Sequence, residues 1–267
     1  MARLGSCLQS NDHRLYREGI LSFYQIYHAF ESTWATLLTS PLTPEHSFLL
    51  QTLSDPRLSR TPAIAADLEY LFAASPTPFH PTDPIPANRP EVAAFVAHIH
   101  QALTEKPHTL VAYAHSFYMA MFAGGKVLKR MIGMQEGFFP VHWPAGDEAE
   151  ARLYATNMFT FPVDEEKLDA LRTRFKEAME VVEEGLDEEE RDEIVAESRA
   201  IFKWNERMIL ELDAICAKIA PVKVDVPKIV VTRPEGEDFA GWLGRNKVPM
   251  AITTLICLFG AKKMFWS

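Results

Sequence analysis

The chain has 267 residues, of which 48% are hydrophobic and 11% aromatic, enough apolar surface for the core of one large domain or two small ones. Its net charge is −9 and it has no basic arm, which argues against nucleic-acid binding. The cysteines Cys7, Cys216 and Cys257 have neither metal-binding nor redox spacing, and no apolar signal segment follows Arg3. We therefore expect a globular protein of a reducing compartment, without a disulfide framework.

The first part of the chain predicts helices that each have one apolar face. Residues 16–38 carry apolar side chains at spacings of three and four, and prolines follow this pattern. Further helices are predicted for residues 44–53, 62–72 and 90–105. The proline-rich residues 73–90 exclude a helix. They either separate two domains or connect two helices of one domain. We favour the connection, because the helices on both sides need partners for their apolar faces.

The central helix, predicted for residues 111–130, contains two adjacent glycines, Gly124 and Gly125. Each glycine inside a helix costs about 1 kcal/mol relative to alanine, and a pair favours a kink. Two interpretations account for this cost. The missing side chains allow either close packing against another helix or the approach of a flat ligand to the backbone. The aromatic and methionine side chains around the pair, and the basic cluster in residues 126–130, suit a planar apolar molecule with an acidic edge.

Helices also account for the following part of the chain. The patterns predict a loop at residues 133–147, a short helix at 149–158 and two long helices at 164–184 and 187–216. Acidic residues open both long helices, where the helix dipole favours them, and the acidic run between these helices is interpreted as a solvated turn and helix face. No segment before residue 220 has convincing strand alternation. We therefore predict an all-α domain over residues 1–219.

Three histidines, His98, His100 and His108, lie close together in sequence before the central helix. Their spacing does not assemble a metal site. We therefore interpret them as surface residues and predict no metal site.

The end of the chain differs in composition from the helical part. Prolines in a Val- and Lys-rich stretch predict an extended linker over residues 220–247. An uncharged segment of about fourteen residues follows, which is shorter than the roughly twenty that a membrane span needs. Lys262 and Lys263 can extend their charges to the membrane surface, and Trp266 is placed like an interface anchor. We predict a C-terminal transmembrane anchor over residues 248–266, with a buried helix as the alternative.

Several motifs have the order and spacing of the heme oxygenase family. Residues 110–130 resemble the distal helix of that family, and residues 24–27 resemble the helix that supplies a tyrosine to the distal pocket. The remaining matches are residues 65–71, residues 159–162, Arg172, Phe175, Lys176, Met179, Phe202 and Asn205. The resemblance covers about residues 16–216, and a tail anchor after a linker is similar to the microsomal members.

The resemblance implies an all-helical heme oxygenase fold and a specific activity. Members of this family hold heme between a proximal helix, whose histidine ligates the iron, and the glycine-rich distal helix. They cleave heme to biliverdin, CO and ferrous iron with O2 and with electrons from an NADPH-dependent donor of the NADPH–cytochrome P450 reductase type, so that heme is both substrate and cofactor. For an anchored chain this implies the endoplasmic reticulum membrane, with the catalytic domain facing the cytosol.

The resemblance also implies which residues form the site. Gly124 and Gly125 would lie over the macrocycle and Tyr27 would order a water, which makes these three the candidate catalytic residues. Arg172 and Lys176 are one helical turn apart and match basic positions that meet the heme propionates. The other candidate heme contacts are His115, Phe117, Met121, Phe202 and Asn205.

Two positions depart from the family pattern. The proximal histidine of the family lies on a helix well upstream of the Tyr16 helix, and His13 is too close to that helix to match it. Met121 stands where well-known members carry an aspartate that organises water for oxygen activation, and a thioether does not bind water as a carboxylate does. Besides heme oxygenase activity, these departures favour a second hypothesis, a non-catalytic protein that binds heme or a partner. A third hypothesis, outside the family, is a tail-anchored helical scaffold.

Overall fold

The computed structural model describes residues 12–219, and the regular structure of this part is entirely helical. The α-helices are α1 (His13–Leu37), α2 (Pro44–Leu53), α3 (Thr61–Phe72), α4 (Pro90–Glu105), α5 (Leu110–Gly133), α6 (Glu148–Tyr154), α7 (Glu165–Gly185) and α8 (Glu188–Cys216), with 3-10 helices at Pro107–Thr109 and Asn157–Phe159. The predicted all-α class is confirmed. The predicted linker, residues 220–247, and the predicted anchor, residues 248–266, lie outside the described residues. Between residues 12 and 219, no helix combines the length and apolar character needed to cross a membrane.

Helix α1 is the common partner of the first half of the fold. It begins earlier than predicted because the Asp12 carboxylate accepts a hydrogen bond from the Arg14 backbone N–H, at 2.9 Å, and caps the helix. Its apolar face is buried, and both α3 and α4 pack against it. The proline-rich residues 73–90 therefore join two helices that share one partner.

The second half of the fold positions the central helix. Helix α5 packs mainly against α8, while α7 packs against α2 and also contacts α5. The apolar face of α7 is buried through Leu171, Phe175 and Val182. A capping box of Asp187 and Glu190 starts α8. These contacts place α5 between α1, α7 and α8.

The predicted helix at residues 149–158 is instead divided in two. Helix α6 ends at Tyr154, and a separate 3-10 helix follows at Asn157–Phe159. The reason is Asp67 of α3, whose carboxylate accepts hydrogen bonds from the backbone N–H groups of Asn157 at 2.6 Å and Met158 at 2.8 Å. This contact comes from a distant part of the chain and turns the segment toward α5.

Candidate functional site

Helix α5 has one face in the core and one face that is half-exposed. Its buried face is largely aromatic, and the Phe117 ring stacks on Phe30 of α1 with 5.5 Å between ring centroids. The opposite side carries a row of half-exposed residues at helical spacing, which we call the open face: Ser116, Ala120, Ala123 and Val127. All four side chains are small. A flat molecule can therefore approach the α5 backbone along about three helical turns.

The glycine pair directly follows Ala123, but it lies on the buried side of α5 and not on the open face. Both glycines are buried, and the helix continues through them to Gly133. A Cβ atom on Gly125 would lie 3.3 Å from the carbonyl oxygen of Phe159, which is tighter than an ordinary van der Waals contact. The missing side chain of Gly125 therefore serves the close packing of α5 against the Asn157–Phe159 helix.

Three of the candidate residues lie in the core: Tyr27, Phe117 and Met121. The Tyr27 hydroxyl donates a hydrogen bond to the Phe117 carbonyl oxygen at 3.2 Å, and the two rings are 5.3 Å apart. Burial, and secondarily the nearby Glu31 carboxylate, raise the pKa of Tyr27 far above its ordinary value, so its hydroxyl stays a neutral donor. Met121 is 8% exposed and belongs to the same core. Tyr27 and Phe117 thus hold α5 against α1.

A basic group lies beside α5 at the level of His115. Helix α7 packs on α5 through Phe175, whose ring is 5.9 Å from the Tyr118 ring, and this contact brings the neighbouring Lys176 toward His115. Burial, and secondarily the charge of Lys176, lower the pKa of His115 below its ordinary value, so the imidazole is neutral at pH 7. Arg172 is one turn earlier on α7, exposed, and paired at 3.1 Å with an acid of its own helix. We call His115, Lys176 and Arg172 the basic edge.

The two candidate residues on α8 have different environments. Phe202 is 38% exposed. Asn205 is buried, and its side-chain amide donates a hydrogen bond to the Ile201 carbonyl oxygen at 2.8 Å, within its own helix. Phe202 therefore offers aromatic surface to a ligand or partner, whereas the Asn205 amide already has a partner inside the fold.

A partly buried polar cluster that the sequence pattern does not reveal supports α5 from the core side. Glu31 of α1 accepts hydrogen bonds from the Tyr118 hydroxyl at 3.0 Å and from the backbone N–H groups of Arg60 at 2.7 Å and Thr61 at 3.0 Å. The Arg60 guanidinium is buried and lies 4.3 Å from the centroid of the Phe161 ring. One carboxylate therefore ties α1, the start of α3 and α5 together.

Asp67 holds the segment that lies against Gly125. In addition to the two backbone contacts of this carboxylate, the side-chain amide of Asn157 donates to it at 2.9 Å. Burial raises the pKa of Asp67 to about 7, although these donors favour the ionised form. The only signal of this role in the sequence is an aspartate on the apolar face of a predicted helix.

Comparison with known proteins gives the family. The sequence profile of the heme oxygenase family matches residues 3–211. The chain belongs to the heme oxygenase family. It is similar to the heme-binding protein HMX1 of Saccharomyces cerevisiae, with 29% identity over 74% of this chain and 65% of that protein, slightly less than two thirds of its length. It is also similar to the heme oxygenase of Porphyra purpurea, with 24% identity over 78% of this chain and 76% of that protein.

Solved structures share the fold. Heme oxygenase-1 of the cyanobacterium Synechocystis sp. PCC6803, in complex with heme, aligns with a TM-score of 0.58 and 21% identity over 80% of this chain and 85% of that chain. The heme oxygenase of Leptospira interrogans aligns with a TM-score of 0.60 and 18% identity over 78% of this chain and 88% of that chain. At these identities the similarity establishes the heme oxygenase fold.

Proposed function

We propose that this chain is a heme oxygenase that binds heme against the open face of α5. The observation that carries the proposal is the combination of a flat row of small side chains on α5 with a basic edge beside it, in a member of this family. The row suits an apolar macrocycle, and the basic edge suits its acidic substituents. The reaction we propose is the cleavage of heme to biliverdin, CO and ferrous iron.

The residues of the open face and the basic edge fit a porphyrin in both shape and charge. Ala120 and Ala123 allow a ring to approach within contact distance of the helix backbone. Lys176 and Arg172 are exposed cations, so they can turn toward propionate carboxylates without breaking a buried contact. When bound, heme would supply the iron chemistry with O2, and electrons would come from an NADPH-dependent reductase.

The residues of this chain position the heme and control protons near it. The neutral Tyr27 hydroxyl keeps its proton and holds the Phe117 carbonyl, which fixes the α5 backbone behind the open face. The imidazole of His115 is neutral beside Lys176, so the positive charge of the basic edge comes from Lys176 and Arg172. Met121, which is buried directly behind this region, offers no carboxylate to order water.

Met121 also favours a second candidate function, heme binding without turnover. The relative from Saccharomyces cerevisiae is named a heme-binding protein, which supports the same alternative. Both candidates require the same binding face. They differ in whether biliverdin is formed, so a binding experiment comes first and a turnover experiment second.

The remaining parts of the proposal concern the electron donor and the attachment to a membrane. We infer a reductase of the NADPH–cytochrome P450 reductase type as electron donor, and attachment to the endoplasmic reticulum membrane through residues 248–266. The uncharged segment of this region, followed by Lys262, Lys263 and Trp266, supports the attachment.

The first experiment is a titration of the full chain with hemin, followed by its absorption spectrum. We expect saturable binding of one hemin with a sharpened and shifted Soret band. Ala123→Phe fills the open face and is expected to weaken binding by at least about 10-fold, which corresponds to 1.4 kcal/mol. The matched control is Ala93→Phe, at an exposed position of α4, which should bind hemin like the wild type. Equal binding by all three proteins would place heme elsewhere.

A second pair of variants tests the basic edge. Lys176→Glu is expected to weaken hemin binding, whereas Lys167→Glu, which reverses a charge on the same helix near its start, is not. Biliverdin formation with a reductase then separates the two candidate functions. Tight binding without biliverdin would support the non-catalytic alternative.

A further inference from the structure

Three side chains from separate elements meet at the end of the fold where α5 begins. They are His46 of α2, His108 of the Pro107–Thr109 helix and Glu190 of α8. One ligand atom from each residue lies within 4.8 Å of the other two. His46 Nε2 is 3.1 Å from Glu190 Oε1, and His108 Nδ1 is 3.7 Å from the same oxygen. The prediction that His108 is a surface residue is wrong: it is 5% exposed, because the turn that carries it is covered by α2 and α8.

The two nitrogens of His108 have different surroundings. Nε2 lies 2.7 Å from Glu193 Oε2, which is a hydrogen bond to a carboxylate. Nδ1 is buried and has no hydrogen-bond partner within the part of the chain that the structure describes. If Nε2 donates its proton to Glu193, the lone pair of Nδ1 points into the cluster. This arrangement of a carboxylate behind an imidazole is the one that metal-binding histidines use to fix the ring and increase its basicity.

The carboxylate of Glu190 is also fixed in position. One of its oxygens, Oε2, accepts a hydrogen bond from the Asp187 backbone N–H at 3.2 Å as part of the capping box of α8. The other oxygen, Oε1, faces the two histidines. A metal ion that binds imidazole nitrogen and carboxylate oxygen at about 2.0–2.2 Å brings its ligands to separations of about 3.3 Å. The distances of 3.1 and 3.7 Å in the cluster bracket this value.

We propose that His46, His108 and Glu190 form a binding site for a divalent first-row metal ion of the zinc type, separate from the open face of α5. Two imidazoles and one carboxylate favour Zn²⁺ over Ca²⁺ and Mg²⁺, which prefer sites built from oxygen ligands alone. His46 and Glu190 are partly exposed, which leaves room for water as a fourth ligand. The acidic side chains of Glu188, Glu189 and Asp192 line the neighbouring surface and attract cations.

The consequence of metal binding follows from where the ligands lie. The ion would join α2, the turn before α5, and the first turn of α8. Because Pro107–Thr109 leads directly into Leu110, metal binding would fix the start of α5. We therefore expect the ion to stabilise the fold, since a ligand that binds only the folded chain raises its midpoint of thermal unfolding.

The test is a calorimetric titration of the full-length, untagged, heme-free chain with Zn²⁺. Wild type should bind one Zn²⁺ per chain at this site. Changes in the outer shell of a metal site typically weaken binding by about 10- to 100-fold, so the loss of a direct ligand in His46→Ala or Glu190→Gln is expected to weaken it by at least about 100-fold. Glu190→Gln is the more informative variant, because glutamine still completes a capping box while removing the charged ligand. Glu193→Gln should have an intermediate effect.

The matched control is His98→Ala, which removes another histidine that pairs with a glutamate of α8, in this case Glu197 at 2.9 Å. It should bind Zn²⁺ like the wild type, and neither Ca²⁺ nor Mg²⁺ should compete. Co²⁺ should give intense visible absorption in wild type that is lost in Glu190→Gln. The proposal is overturned if no Zn²⁺ binds, if His46→Ala and Glu190→Gln bind it as tightly as wild type, or if Ca²⁺ competes equally.

Discussion

The two faces of α5 show how one helix serves both stability and binding. On the core side, Tyr113, Phe117 and Tyr118 are almost completely buried, and the two tyrosine hydroxyls donate to Glu197 and Glu31. On the open face, no side chain is larger than valine. The first face uses large rings with satisfied polar groups, whereas the second consists of small, half-exposed side chains.

This difference implies that stability and ligand binding can be changed separately. A buried aromatic ring makes a large contribution to the free energy of folding, and removing the ring also leaves a cavity. Small side chains at half-exposed positions contribute little to folding. A substitution on the core face should therefore affect folding first, and one on the open face should affect binding first. The predictions below test this division, beginning with the largest expected effect.

The core face should respond most strongly to the loss of Phe117. The ring packs against both Tyr27 and Phe30, so Phe117→Ala is expected to lower the free energy of unfolding by about 3–5 kcal/mol. The matched variant on the open face is Val127→Ala, which should change it by no more than about 0.5 kcal/mol. Urea unfolding of both variants measures the difference. Similar losses in the two variants would contradict the division between the faces.

The pH dependence of stability should report the buried carboxylate of Asp67. Its pKa is about 7 in the folded protein and 3.8 ordinarily, so between these values the folded chain holds a proton that the unfolded chain has released. Raising the pH through this range therefore favours unfolding, by up to about 1.4 kcal/mol per pH unit, and above the folded pKa the dependence ends. Asp67→Asn should remove this contribution.

Urea unfolding at pH values of about 5 and about 7.5 measures the effect of Asp67. Wild type should lose stability relative to Asp67→Asn as the pH rises. Parallel changes in the two proteins would mean that Asp67 is ionised in the folded state throughout this range. A charged Asp67 carboxylate would then hold the Asn157–Phe159 helix against α5.

The helices could be predicted from the sequence because their signals are local. Predicted and observed bounds agree for Pro44–Leu53 and Pro90–Glu105, where a proline opens each helix and the apolar spacing runs unbroken. The family motifs also directed attention to α5 and to Lys176, which the structure places near His115. Such signals depend on residues a few positions apart.

The contacts that surround the site could not be predicted in this way. Asp67 binds residues that are 90 and 91 positions away, and Tyr118 donates to Glu31 across 87 positions. The burial of His108 likewise follows from helices that are distant in sequence. The sequence shows that these polar residues exist, but only the packing of the helices shows which of them meet.

The glycine pair offers a finer test of the core face, with the smallest expected effect. In Gly125→Ala the gain in helix propensity of about 1 kcal/mol opposes an overpacking cost of about 1–3 kcal/mol. The Cβ would meet the Phe159 carbonyl oxygen at 3.3 Å, and this backbone cannot easily move because Asp67 holds the residues before it. We expect a net loss of about 1 kcal/mol in the free energy of unfolding.

The control is Gly185→Ala, where a Cβ meets nothing within 4 Å and a gain of about 0.5 kcal/mol is expected. Stabilisation by both substitutions would show that the Asn157–Phe159 helix yields, and that the pair is not required for packing against α5.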